Sequence, residues 1–150
     1  MHVVHGELAD RIRHVASFAP RLRVHHGDGI SCLEDLNGDA GIEDEIVAFV
    51  DPPYLREGNR LYAQGMDYAT HQRLAGALNA TPARWLLTYD DEPAVTDDLY
   101  PDRRVVAYYI RNTANRARRA REYAVFSDNL RAPDITHLSP YGQTEWVRAA

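Results

Sequence analysis

The fold of this 150-residue chain is decided by the stretch Ile46-Val47-Ala48-Phe49-Val50-Asp51-Pro52-Pro53-Tyr54. Its first five residues are all apolar, too few for a helix, and they lack the polar alternation of a half-exposed strand. We therefore predict that Ile46–Val50 forms a strand buried on both faces, followed by a turn. Two consecutive prolines fix φ near about −65° and remove two backbone donors, so the turn is rigid and its carbonyl groups remain acceptors.

This turn carries three different chemical groups in four residues. Asp51 supplies an anionic acceptor, the Pro52 carbonyl supplies an amide acceptor, and Tyr54 supplies a flat stacking surface. An exocyclic amine on a flipped nucleobase needs these three groups. Since Pro and Asp are also common in ordinary turns, the four residues alone favour a base-binding site and a strand-ending turn about equally.

The composition is typical of a single soluble domain. The chain is 45% hydrophobic and 26% charged, and it is long enough to bury one core. A lone cysteine, Cys32, excludes an internal disulfide framework and suits a reducing compartment, so we expect a cytoplasmic protein. No apolar stretch approaches the roughly 20 residues of a membrane span. The adjacent His25 and His26 would point to opposite faces of a strand, and no metal site is expected.

The basic residues are unevenly distributed along the chain. A net charge of −5 argues against a general nucleic-acid coat, yet residues 111–121 contain five arginines and no acid. The planar guanidinium fork suits phosphate. A run of charges is also common on an ordinary solvated surface, so phosphate contact and solvation are about equally favoured here.

The rest of the pattern alternates helices and strands. The predicted elements are a helix over 8–19 ended by Pro20, a strand over 22–26, a short helix over 30–36, a helix capped by Thr70, a strand over 85–89, a short helix over 93–99, and two antiparallel strands over 105–110 and 123–126. We predict one domain over residues 1–130 and an irregular tail over 131–150.

This order predicts an α/β fold with a largely parallel sheet. In such sheets, ligands bind beyond the carboxyl ends of the strands. Asp28, Asp51 and Asp90 each follow a predicted strand, so all three should line one rim of the sheet. This placement favours the functional interpretation of Asp51 over the turn interpretation.

Several motifs after Asp51–Tyr54 occur in an order that is far more specific than the Asp-Pro-Pro-Tyr turn alone. They are Leu61-Tyr62, Asp67–Leu74, Leu86–Asp91, and the segment from Arg111 through Asn129. In these motifs the chain resembles adenine-specific DNA methyltransferases of the DNA adenine methylase type, and the last segment is similar to their closing basic hairpin and final strand. The resemblance covers roughly Leu22 to Asn129.

The resemblance implies methyl transfer from S-adenosylmethionine to the exocyclic amine of adenine in duplex DNA. Asp51 and the Pro52 carbonyl would accept the two N–H bonds of the amine, Pro53 would shape the turn, and Tyr54 would stack on the extruded base. Asp28, Gly29 and Asp51 would bind the cofactor, although Asp28 also suits an ordinary turn.

The resemblance also implies a set of substrate contacts, namely Tyr62, Asp90, Arg116, Arg118 and Arg119. Tyr62 is equally suited to packing its own loop, and helix capping explains one of the acids at positions 90 and 91 well. The three arginines would contact phosphates through sequence-independent charge pairing.

The chain departs from the family near its beginning. Family members carry a Phe-x-Gly-x-Gly segment that wraps the methionine part of the cofactor, whereas only Gly6 precedes Gly27 here. The chain therefore resembles the C-terminal half of a methyltransferase, with an incomplete Rossmann-like sheet, mostly parallel with an antiparallel C-terminal strand pair. We expect the strand before Asp51 to lie at an unpaired edge, which favours self-association or a separate N-terminal methyltransferase half as a partner.

Two other functions remain open at this point. DPPY-like turns also occur in enzymes that methylate guanine in ribosomal RNA. A catalytically inactive remnant that binds nucleic acid through residues 111–121 would also explain the basic segment.

Overall fold

The computed structural model describes residues 3–36, 45–56, 65–112, 118–132, 134–135 and 138–149. Its helices are α1 (Val3–Ala16), α2 (Gly29–Leu36) and α3 (Tyr68–Ala80), with short helical turns at Ala19–Arg21 and Val95–Leu99. Its strands are β1 (Val47–Val50), β2 (Arg84–Asp90), β3 (Arg104–Asn112), β4 (Arg118–Phe126) and β5 (Glu145–Arg148).

The five strands form one mixed sheet in the order β1-β2-β4-β3-β5. Among the strands that the structure describes, only β1 and β2 are parallel, and the other three pairings are antiparallel. The α/β class is confirmed, but the prediction of a mostly parallel sheet is wrong. One reason is that the predicted strand Leu22–His26 is not a strand: Val24 is 93% exposed, and this segment contributes no parallel neighbour.

The hydrophobic core lies between one face of the sheet and helices α2 and α3. Leu74 and Leu78 of α3 belong to the same buried cluster as Leu87 and Tyr89 of β2. Helix α3 begins at an Asp67 cap, whose carboxylate accepts a hydrogen bond from the Thr70 backbone N–H at 2.8 Å. The predicted cap, Thr70, is therefore the donor to the cap and lies inside the helix.

Strand β1 occupies one edge of the sheet that the described residues form, as the sequence predicts. Its side chains alternate between a half-buried and an exposed face, and Phe49 is 66% exposed. The prediction that Ile46–Val50 is buried on both faces is therefore wrong. Helices cover the core face of β1, while Val47 and Phe49 lie on its open face.

Helix α1 confirms the helical spacing near the N-terminus, but three of the apolar residues that define this spacing are exposed. Leu8, Ile12 and Val15 are all more than half exposed. Among the described residues, no helix is long and apolar enough to cross a membrane.

The C-terminal segment is more ordered than the predicted irregular tail. Residues Glu145–Arg148 form β5, which pairs with β3 across a register shift at Val105 and Val106. Gly142 packs so closely on Tyr109 that a Cβ atom there would lie 2.6 Å from its ring. The tail prediction is wrong for this segment, because β3 offers β5 a pairing edge far away in sequence.

Candidate active site at the carboxyl end of β1

The turn Asp51–Tyr54 leaves the sheet directly after β1, as predicted. Asp51 follows the last paired residue of β1 and so lies beside Thr88 of β2. The Thr88 hydroxyl donates to Asp51 Oδ1 at 2.6 Å. Since this bond engages one of the two carboxylate oxygens, it orients Asp51 and leaves the other oxygen as an acceptor.

Asp90, the last residue of β2, holds the backbone immediately after Tyr54. Its Oδ1 accepts a hydrogen bond from the Leu55 N–H at 3.2 Å, and its Oδ2 accepts one from the Arg56 N–H at 2.8 Å. Asp90 was predicted to contact the substrate. The structure gives its carboxylate a role in fixing the turn, and substrate contact remains a prediction.

Glu122 of β4 is a site residue that sequence reasoning missed. Its Oε2 accepts hydrogen bonds from the hydroxyls of Tyr54 at 3.1 Å and Tyr108 at 2.9 Å. Burial raises the pKa of the Glu122 carboxyl group, and the charges of Asp51 and Asp90 act in the same direction, while the two tyrosine bonds oppose them. The sequence offers one signal for this residue: Glu122 lies on the same face of β4 as the apolar Ala124 and Phe126.

A cavity of about 470 Å³ lies beside the turn, between β1 and helices α2 and α3. The residues that line it include Asp28 and Gly29 at the start of α2 and Asp51, Pro52 and Pro53 of the turn. Apolar side chains form much of the remaining wall: Ile30, Leu33, Leu36, Val50, Met66 and Leu74. The structure therefore brings together the three residues that were predicted to bind a cofactor.

Asp28 reaches this cavity from the start of α2, and not from the end of a strand as predicted. Its Oδ1 accepts a hydrogen bond from the Ile30 N–H at 2.9 Å, and its Oδ2 is 2.8 Å from Nη1 of Arg73. Arg73 also pairs with Glu34. The Arg73 hydrogen bond, helped by the Ile30 N–H, holds the pKa of Asp28 below its usual value, so Asp28 is charged at neutral pH.

The basic hairpin formed by β3 and β4 places two arginines side by side. Arg111 and Arg119 are directly paired in register, and both are exposed. Arg121, by contrast, is bound to Asp91 at 2.6 Å and to Glu145 at 2.7 Å. Like charges directly opposite each other destabilise a strand pair, so Arg111 and Arg119 together form a favourable position for an anion.

The side chains of three predicted substrate residues are not among the parts of the chain that the structure describes. Tyr62 and Arg116 lie outside the described residues. Arg118 begins β4, and only its backbone is described.

No protein-family model matches this chain, and no curated protein matches it significantly.

Proposed function

We propose that this chain transfers a methyl group from S-adenosylmethionine to the exocyclic amine of adenine in DNA. One observation carries the proposal: a single cavity joins Asp28 and Gly29 to the Asp51–Pro53 turn. A cofactor in this cavity and a base against Tyr54 would meet at Asp51, which is the arrangement that methyl transfer between them requires.

The cavity suits the proposed cofactor in size, polarity and charge. Its volume of about 470 Å³ lies within the range of roughly 300–1,000 Å³ that is usual for small-molecule sites. The apolar wall favours a purine ring, and the exposed carboxylate of Asp51 favours a cation, whereas that of Asp28 is already paired with Arg73. S-adenosylmethionine supplies an activated methyl group on a positively charged sulfur.

The acceptor groups of the turn suit an aromatic amine. The lone pair of such an amine is delocalised into the ring, so hydrogen bonds that accept both N–H groups redirect it out of the ring plane. Asp51 and the Pro52 carbonyl provide those two acceptors, and the Thr88 bond fixes the orientation of Asp51. In the transfer, the N–C bond would form as the methyl–sulfur bond breaks, and the electron pair of that bond would go to sulfur, which leaves as a neutral thioether. The amine would then lose one proton, which the exposed Asp51 would pass to water.

Tyr54 provides the stacking surface for the base. Stacking on one aromatic side chain is worth about 1–3 kcal/mol per base. The ring is half-buried and its hydroxyl is held by Glu122, so its orientation is set before a base arrives. Holding both reactants in a fixed geometry supplies much of the acceleration expected of a displacement reaction.

The exposed pair Arg111 and Arg119 supports duplex DNA as the partner, with Arg116 and Arg118 as further predicted phosphate contacts. Because the chain as a whole is acidic, binding depends on this local cluster. The affinity should fall steeply with salt, since each phosphate contact releases a counterion.

The test is transfer of labelled methyl from S-adenosylmethionine to unmethylated duplex DNA, followed by separation of the nucleosides. We expect label on adenine that is lost in Asp51→Ala and retained in Asp10→Ala, which removes an exposed acid of α1. The assay is repeated over a range of protein concentrations and with ribosomal RNA. Label on RNA guanine would replace the proposal with the alternative enzyme, and Asp51-independent label would contradict it. Absent label at every concentration would contradict transfer by this chain without a separate N-terminal half.

A further inference from the structure

Two acids lie side by side on neighbouring strands beneath the turn. Asp90 of β2 and Glu122 of β4 are direct partners in the antiparallel register, and they are only 4% and 8% exposed. Like charges placed directly opposite each other destabilise a strand pair, and burial increases the cost. Sequences break such local rules mainly at functional sites, so this acid pair calls for a functional explanation.

Both acids hold the same short segment of chain. Asp90 accepts the N–H groups of Leu55 and Arg56, and Glu122 accepts the hydroxyl of Tyr54. Three consecutive residues are thus fixed by two neighbouring strands of the sheet. A turn that only had to end a strand would be complete with the Asp90 contacts, and the Glu122 contact adds control over the Tyr54 ring.

The carboxylate of Glu122 is itself held in place. Tyr108 of β3 is its cross-strand partner on the other side and donates to the same oxygen, Oε2, as Tyr54 does. Two hydroxyl donors on one oxygen define the position of that oxygen closely. The chain of contacts therefore runs from β3 through Glu122 to the end of the Tyr54 ring.

We propose that Glu122 is a positioning residue, which anchors the hydroxyl end of Tyr54 and so fixes the position of the ring on which the target base stacks. The proposal rests on one part of the proposed function, the stacking of a base on Tyr54. It assigns Glu122 no contact with the substrate or with the methyl group.

The test measures base stacking directly, without methyl transfer. The probe is a single-stranded oligonucleotide with one 2-aminopurine, a fluorescent adenine analogue that is quenched when it stacks. Loss of one base–aromatic stack corresponds to a roughly 5- to 150-fold loss of affinity, which we expect for Tyr54→Ala. The matched control is Tyr141→Ala, which removes an exposed tyrosine of the C-terminal segment and should change nothing.

The Glu122 variants separate positioning from simple packing. Glu122→Gln keeps an acceptor oxygen for Tyr54 and should retain the quenching, whereas Glu122→Leu keeps the volume, loses the acceptor and should lose most of the Tyr54-dependent affinity. If Glu122→Leu does not fold, Tyr54→Phe removes the same hydrogen bond and keeps the ring. Wild-type affinity and quenching in Tyr54→Phe would overturn the proposal, as would equal loss in the Gln and Leu variants.

Methyl transfer, measured on the same variants, separates this inference from the proposed function. Quenching that depends on both Tyr54 and Glu122, without Asp51-dependent methyl transfer, would support the positioning role and contradict the methyltransferase. Asp51-dependent transfer with quenching that is the same in wild type, Tyr54→Phe and Tyr54→Ala would overturn the positioning role and the stacking of the base on Tyr54, and would leave the methyl transfer standing.

Discussion

Helix α1 and strand β2 are both regular and both rich in apolar residues, but they are stabilised in different ways. Ile12 of α1 is 61% exposed, whereas Leu87 of β2 is completely buried. The contacts described for α1 are local, such as the Asp10–Arg13 ion pair three residues apart. Strand β2 has paired neighbours on both sides and helices on one face. A regular backbone therefore does not by itself indicate a buried element.

The turn of the candidate site is anchored to the packed region. This turn is fixed by side chains from β2 and β4. These are the two strands next to β1 in the sheet, and each has a paired strand on both sides. The groups proposed to hold a base therefore rest on rigid elements, and such placement holds catalytic geometry better than a loop alone does.

The largest expected effect tests the comparison directly. Leu87→Ala removes a fully buried side chain from the core, so we expect the free energy of unfolding to fall by about 2–5 kcal/mol. Ile12→Ala removes a similar side chain from the exposed face of α1 and should change it by less than about 0.5 kcal/mol. Equilibrium unfolding in urea measures both values.

An equal loss in the two variants would break the comparison. It would mean that the apolar face of α1 is covered in solution, and the unfolding of wild-type protein would then depend on its concentration. The exposed edge strand β1 makes such association physically reasonable.

The elements that were predicted correctly carry their signal in neighbouring residues. The apolar run before Asp51, the periodicity around Leu74 and the closing strands all follow from local spacing. The prediction of a strand at Leu22–His26 was wrong, because a strand also needs a pairing partner and β-propensity alone does not supply one. Strand β5 was missed for the converse reason: its short sequence is unremarkable, and pairing with β3 makes it a strand.

The site residues divide in the same way, into those with a local sequence signal and those whose role depends on strand pairing. Asp51 and its turn were identifiable, since two prolines after an acid restrict the backbone locally. Glu122 was not, because its importance depends on a register that pairs it with Asp90 and Tyr108. Asp28 was predicted on a strand end and lies instead at the start of a helix, yet the fold still brings it to the same cavity as Asp51.

The next largest effect concerns the acid that fixes the turn. Asp90→Ala removes the acceptor of the Leu55 and Arg56 N–H groups, and hydrogen bonds to a charged group are worth about 1.5–3 kcal/mol. We expect a loss of stability of that order, together with reduced methyl transfer, because the turn is no longer anchored to β2. The exposed Asp102 provides the control, and Asp102→Ala should lie within about 0.5 kcal/mol of wild type. Equal losses in the two variants would show that the turn is held by other contacts.

The smallest effect sharpens the comparison through pH, because two carboxyl groups should respond in opposite directions. Burial raises the pKa of Glu122 above the ordinary value of 4.5. At pH values between the unfolded and the folded pKa, the folded state therefore holds a proton that the unfolded state releases. Stability is lost as pH rises through this interval. Arg73 lowers the pKa of Asp28 below 3.8, so its contribution is lost as pH falls. Measured by urea unfolding between pH 3 and 8, Glu122→Gln should gain stability over wild type with rising pH, with a slope no steeper than about 1.4 kcal/mol per pH unit for one proton. As pH rises through the acid part of the same range, wild type gains the Asp28 contribution, so Asp28→Asn should lose stability relative to wild type. A stability difference between Glu122→Gln and wild type that does not change with pH would mean that Glu122 titrates like an exposed acid. The buried acid pair beneath the turn would then be open to solvent.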